Sequence, residues 1–153
     1  MGKVLTVKQI IAGIENTLAV GISPGLNIIF GNIGENQEYL DKNVEFLLKY
    51  DDYAQLRTIR PVTPYPGSPL YDYAVQNGFI KNCEDFYENK HINSDLLTVN
   101  FTDMTDDVFY AALHKANKTL LDNYTEKLKQ RNIDLLDNLY AKLDKSFRGF
   151  RHT

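Results

Sequence analysis

Two arginines three positions apart, Arg57 and Arg60, and the stretch that follows them, Thr63-Pro64-Tyr65-Pro66-Gly67-Ser68-Pro69-Leu70-Tyr71, hold the residue types and spacing best suited to chemistry in this chain. A long cation near a strand end can hold a carboxylate or a phosphate, and arginine does so through two parallel N–H donors. The plain alternative is an exposed strand-end arginine. The nine residues after them contain three prolines and one glycine, which encodes a rigid strand-to-helix corner. Pro66 fixes φ near about −65° at the second position of a type II turn, and Gly67 accepts the positive φ of the third. Ser68 then stands as an N-cap, with Pro69 at the first helical position, where its missing N–H costs nothing. In α/β proteins the C-terminal end of a strand is where substrates and cofactors bind; a merely tight loop is the other reading of the same residues.

Other kinds of chemistry are poorly supplied. His91, His114 and His152 have no partner at ligand-like spacing, so neither a metal site nor a thiol–histidine nucleophile is supported, and no catalytic or metal-ligating residue is assigned. Cys83 is the one cysteine, which excludes an internal disulfide and any cysteine-based zinc or iron–sulfur site made by this chain alone. With 153 residues, 43% hydrophobic and 24% charged, the chain can build one cored domain. A net charge of −3 from 17 basic and 20 acidic residues, without a basic run, predicts binding to neither nucleic acid nor membrane. The N-terminus lacks a signal pattern and no apolar run reaches the ~20 residues of a membrane span, so a cytoplasmic location is expected.

The elements that must position the corner follow from periodicity. Thr6-Val7-Lys8-Gln9 is a capping box, and Val7, Ile10, Ile11, Ile14 and Leu18 form one stripe on a helix ending near Gly21. Leu26 to Phe30 is a short apolar run suited to a buried parallel strand. A glycine-punctuated loop leads to Asn36, which caps a helix with the stripe Leu40, Val44, Leu47 and Leu48. A second strand is expected over 54–60, then a helix from Ser68 to Asn77 closed by Gly78 in a left-handed cap. This order predicts parallel crossover units. Residues 81–103 are the least legible, with Leu96 to Phe101 as a candidate third strand. From Thr105 the pattern is helical for some forty residues, as one long helix or as two joined at a hinge over 129–132. Its stripes are Phe109, Leu113, Ala116, Leu120, Tyr124 and Leu128, then Ile133, Leu136, Leu139 or Tyr140, Leu143 and Phe147.

Over residues 1–80 these features resemble the C-terminal half of a radical S-adenosylmethionine enzyme, particularly the cobalamin-dependent branch. The residues that carry the resemblance are Met1-Gly2-Lys3 with Thr6 before a helix, Gly21-Ile22, the strand Asn27-Ile28-Ile29-Phe30-Gly31 leading to Gly34-Glu35, Tyr53-Ala54-Gln55, and Pro64-Tyr65-Pro66-Gly67-Ser68-Pro69-Leu70-Tyr71 followed by Ala74, Gly78 and Ile80. The resemblance implies an α/β fold: a partial (β/α) barrel of two or three parallel strands over 1–103, followed by a helical C-terminal extension over 104–153. It implies that strand 27–31 and its loop form the wall against the adenine and methionine parts of the cofactor. Ile29, Gly31 and Glu35 fit the family's glycine-x-isoleucine-x-glycine-x-x-glutamate pattern; Asn27 replaces its first glycine, and one extra residue precedes Glu35. With Gly34 and the corner residues Tyr65, Pro66 and Gly67, these make up the expected cofactor-binding set, and Arg57 and Arg60 the expected substrate-binding pair. For Glu35 the alternative is a helix-start carboxylate favoured by the dipole, and for Asn27 a barrel-interior hydrogen bond.

The family's 4Fe–4S cluster requires a three-cysteine run that is absent here, and a complete barrel needs about 250 residues. The chain is therefore expected to be a fragment, cut or read from a family-internal Met1, in which S-adenosylmethionine, the cluster and the branch's cobalamin belong to the parent and none binds this chain alone. Its partner is expected to be the remainder of the parent barrel or a self-associating copy, covering the first strand as a sheet edge. Two functions are consistent with this reading: an inactive C-terminal part of a radical S-adenosylmethionine methyltransferase or oxidative cyclase, or a non-catalytic α/β module that binds a ligand or partner.

Overall fold

A computed structural model describes residues 5–149, so Met1-Gly2-Lys3 and His152 lie outside the described residues. The fold is mostly helical and is built on two parallel strands. In order come α1 (Val7–Ala19), β1 (Ile28–Phe30), α2 (Gln37–Tyr50), β2 (Ile59–Pro61), α3 (Pro69–Gln76), a short turn of helix α4 (Cys83–Asp85) running into a π-helical turn (Phe86–Lys90), and α5 (Asp106–Tyr140). Strands β1 and β2 pair in parallel with Ile28 opposite Ile59, Ile29 opposite Arg60 and Phe30 opposite Pro61.

The helix boundaries follow the local chemistry. Thr6 and Gln9 close the capping box of α1 in both directions, and Gly21 (φ +76°) ends the helix with its N–H on the Leu18 carbonyl and that of Ile22 on Thr17. Asn36 caps α2 through its side-chain oxygen. Ser68 caps α3 with Pro69 behind it, and Gly78 (φ +74°) closes that helix with Phe79 N–H on the Ala74 carbonyl. Thr105 caps α5, with Asp106 and Asp107 in its first turn.

Side chains alternate across the strands, so Ile28, Phe30, Ile59 and Pro61 share one face while Ile29 and Arg60 share the other. The first face carries the main core: Phe30, Leu40, Leu47, Ile59, Phe109, Leu113 and Leu120 are buried together, and Phe30 stacks on Phe109 at 5.2 Å between ring centres. Each such aromatic or aliphatic burial stabilises the fold by about 1.5–3 kcal/mol. A second cluster, Val62, Ala74, Ile80, Phe86, Val99 and Phe101, holds α3 and the segment after it. Among the described residues no helix packs over the face with Ile29 and Arg60, both of which are exposed. Parallel sheets are ordinarily covered on both faces, so this sheet is one-sided.

One expectation needs correction, and two alternatives left open by the sequence are decided. The second strand begins at Ile59 rather than Ala54, because Asp51 and Asp52 accept from the Tyr53 and Ala54 amides and bend the chain at 53–55. No strand forms over Leu96–Phe101, so the described residues contain two strands and no third. There the Leu97 N–H donates to the Tyr110 hydroxyl, and Asn100 bonds Met104, Asp106 and Thr102, so side chains take the place of a ladder. The candidate hinge at 129–132 is helical, and α5 runs unbroken for 35 residues. Among the described residues no helix is long and apolar enough to cross a membrane.

Candidate functional site

At the C-terminal ends of both strands, on the uncovered face, lies a groove of about 860 Å³. Ile29 and Arg60 line it from the strands, Ile33, Val62 and Tyr65 from the loops beyond them, Leu70 and Tyr73 from α3, and Ser94 from the segment before α5. Each part has a local cause. The parallel register places Ile29 beside Arg60. Beyond β1 the chain turns back at Asn32–Glu35, where Gly34 (φ +79°) allows the Glu35 N–H to reach the Asn32 carbonyl at 3.0 Å. Beyond β2, Ser68 N–H bonds the Tyr65 carbonyl at 3.0 Å around Pro66-Gly67 (φ +89°), the type II corner read from the sequence.

Arg60 and Tyr65 are laced to the segment before α5. Arg60 Nε lies 2.9 Å from Asp95 Oδ1, and the Tyr65 hydroxyl lies 2.8 Å from the Ser94 hydroxyl. The Tyr65 ring also meets Phe86 and His91 at 5.9 and 5.5 Å. The Arg60–Asp95 pair is more than half exposed on both sides, so water screens it and a ligand anion can compete for the guanidinium. The site therefore offers an apolar trough with one exchangeable cation in its lining, suited to a ligand with an aromatic or aliphatic body and an anionic group.

Of the residues named from sequence, Ile29, Arg60 and Tyr65 meet in this groove, and the others sit elsewhere. Pro66 and Gly67 shape the corner without lining the trough. Gly31 (φ +103°) approaches another side chain: a Cβ there would stand 2.9 Å from the Phe109 ring. Glu35 Oε2 accepts the Gly31 and Asn32 N–H groups at 2.8 and 2.9 Å, tying down its own loop and occupying those two amides. Asn27 lines a second, smaller groove with Gln55 and Thr58 on the N-terminal side.

Arg57, expected at the strand mouth, stands before β2 at the opposite end. Its side chain is 3% exposed, with Nη2 3.0 Å from Asp52 Oδ1 and 3.4 Å from the Ser23 hydroxyl, and Nε 3.8 Å from Asp51. Burial pushes the Asp52 carboxyl up, but hydrogen bonds from Ser23, the Ala54 amide and Arg57, together with the Arg57 charge, outweigh it and hold the group below its ordinary value. Asp95 and Ser94 were not named from sequence because they fall in the stretch without periodicity. The one local signal is the Asx turn in which Asn93 accepts the Asp95 N–H at 2.8 Å.

An iron–sulfur cluster does not fit the described residues: the donor set has a single, exposed cysteine and no cluster of three His, Cys, Asp or Glu side chains.

One curated relative bears on this geometry. The chain is 35% identical over 81 residues to a protein of Pyrococcus horikoshii described as an uncharacterized methyltransferase, a match covering 52% of this chain and 17% of the relative. The chain thus spans less than a fifth of that relative's length. No family profile matches the chain, and no solved structure matches it.

Proposed function

We propose that this chain forms the C-terminal wall of the active-site cavity of a methyltransferase of the radical S-adenosylmethionine type and is inactive by itself. The observation that carries the reading is the groove at the strand ends, where Ile29, Arg60 and Tyr65 converge on an uncovered sheet face; the similarity to a protein described as a methyltransferase supports it. In this role Ile29 and Ile33 pack against the flat, apolar part of the cofactor or substrate. Arg60 exchanges Asp95 for an anionic group and so fixes its orientation. The Pro66–Gly67 corner, stiff by composition, holds Tyr65 in place. The cluster that generates a radical would be held by cysteines on other polypeptide, and the chemistry it supplies when bound is reductive cleavage of S-adenosylmethionine. This chain's share is binding, orientation and exclusion of water.

The test is anaerobic reconstitution with iron and sulfide of the chain fused to the part of the Pyrococcus relative outside the match. Iron binding and, once a low-potential reductant such as dithionite is added, cleavage of S-adenosylmethionine to methionine and 5′-deoxyadenosine are expected from the fusion and absent from the chain alone. A fusion that folds yet binds no iron would sink the reading.

A second reading rests on the exposed Arg60–Asp95 pair beside the apolar trough, which can exchange its carboxylate for a ligand's. On that reading the chain is a non-catalytic module that binds an apolar anion. Titration of the isolated chain with S-adenosylmethionine and with aromatic carboxylates separates the two: saturable binding that Arg60→Met abolishes favours the module.

A further inference from the structure

The two edges of the β1–β2 sheet are finished differently. In a parallel pair, alternate residues of a strand direct both N–H and C=O to the same neighbour. Val62 N–H donates to the Phe30 carbonyl at 2.8 Å, so Ile28 and Phe30 address β2, while Asn27 and Ile29 address the outer edge of β1. By the same alternation Ile59 and Pro61 address the outer edge of β2.

That second edge is shut. The Asn117 side chain reaches across from α5 and does what a neighbouring peptide would do: Oδ1 accepts the Ile59 N–H at 2.8 Å, and Nδ2 donates to the Ile59 carbonyl at 2.9 Å. Pro61, the next residue facing that way, has no N–H to offer. At the β1 edge, by contrast, no group among the described residues bonds the backbone of Asn27 or Ile29. Helix α1 shows the same lopsidedness. Ile11, Ile14 and Leu18 pack on the main core, while Val7 and Ile10 of the same stripe stand 66% and 42% exposed. A helix leading into a strand packs over the gap between that strand and the parallel strand before it. Here one side of that gap is present and the other is bare.

We propose that the sheet is extended at one edge only: a parallel β-strand from polypeptide outside the described residues pairs with Asn27 and Ile29 of β1, beneath the Val7–Ile10 side of α1, and β2 is the terminal strand. The inference rests on the reading that other polypeptide completes the cavity. More than four fifths of the methyltransferase relative lies outside the match, which is ample chain to hold such a strand. A second copy is the poorer occupant. A two-fold axis would pair the three-residue β1 with itself in antiparallel fashion, and so short a ladder offers far less than the roughly 1,000 Å² of a stable interface.

Amide exchange read residue by residue by NMR tests this, on the full chain alone and after co-expression and co-purification with the part of the Pyrococcus relative outside the match. In the chain alone, the Ile29 amide is expected to exchange at least about tenfold faster than that of Ile59. In the complex, Ile29 is expected to slow by at least about tenfold while Ile59 stays unchanged. Ile29→Pro, which removes the edge N–H, is expected to lose the complex while Ile59 stays protected. Three results would overturn the proposal: an Ile29 amide already protected in a chain that runs as a dimer, which assigns the edge to a second copy; a complex in which Ile29 stays fast or the β2 edge gains protection; or no association either in trans or when the segment is fused to the chain. Iron content of the same complex is read separately, so strand pairing without iron leaves this inference standing and removes the proposed function.

Discussion

Arg57 and Arg60 lie three residues apart and have opposite environments, one sealed between two aspartates and the other lining an open groove. Arg57→Met leaves Asp51 and Asp52 without their cation in a site where both are largely covered, and breaking a buried pair in this way costs about 3–5 kcal/mol. Urea denaturation should show a loss of that size. Arg60→Met breaks only a screened pair and should shift stability by less than about 1 kcal/mol, while removing any anion affinity of the groove. Gly31 is a third residue whose role is structural: at φ +103° and with the Phe109 ring where a methyl would go, Gly31→Ala meets both backbone strain and a clash. A loss of about 2–3 kcal/mol is expected in the same denaturation measurement.

At the level of elements, α5 divides into two halves. Its buried residues, Phe109, Ala112, Leu113, Ala116 and Leu120, all fall in the first half, and Leu128, Ile133, Leu136 and Tyr140 are exposed. Phe109→Ala should therefore cost about 3–5 kcal/mol through the cavity left against Phe30, whereas Leu128→Ala should cost under about 0.5 kcal/mol, both read from thermal unfolding. The same helix shows what the sequence could reveal. Its start was legible because Thr105 and two aspartates are local signals, and so were the caps at Thr6, Asn36, Ser68, Gly21 and Gly78, whose chemistry is complete within a few residues. The groove was half legible: Arg60 was read from its place at a strand end, the corner that carries Tyr65 from its prolines and glycine, and Ile29 from the family resemblance. Asp95 and Ser94 were hidden because they join the groove from a segment whose encounter no periodicity encodes, whereas the partners of Glu35 and the Asp52 partner of Arg57 lie within five residues and were hidden because residue types alone do not say which local group a side chain takes. Likewise Asn117 reads as one more polar position on a helix, and only the tertiary fold brings it to the edge of β2.

For the molecule as a whole, acid should be the most telling perturbation. Asp52 titrates below its ordinary value in the folded chain, so its contribution is present above the unfolded value of about 3.9 and fades as pH falls through the lower folded one. Asp85 behaves alike, held down by the Lys81 amide and then by Asn89. Melting temperature should therefore drop steeply below about pH 4, and Asp52→Asn should flatten that slope while lowering stability at neutral pH.

The unequal sheet edges also govern what happens when the isolated chain is concentrated. Filament growth by β-pairing needs two receptive sides per subunit, one to accept and one to pass on. With Pro61 and Asn117 blocking the far side, even a copy that meets another transiently through Ile29 has no second side to pass on, and filaments do not grow.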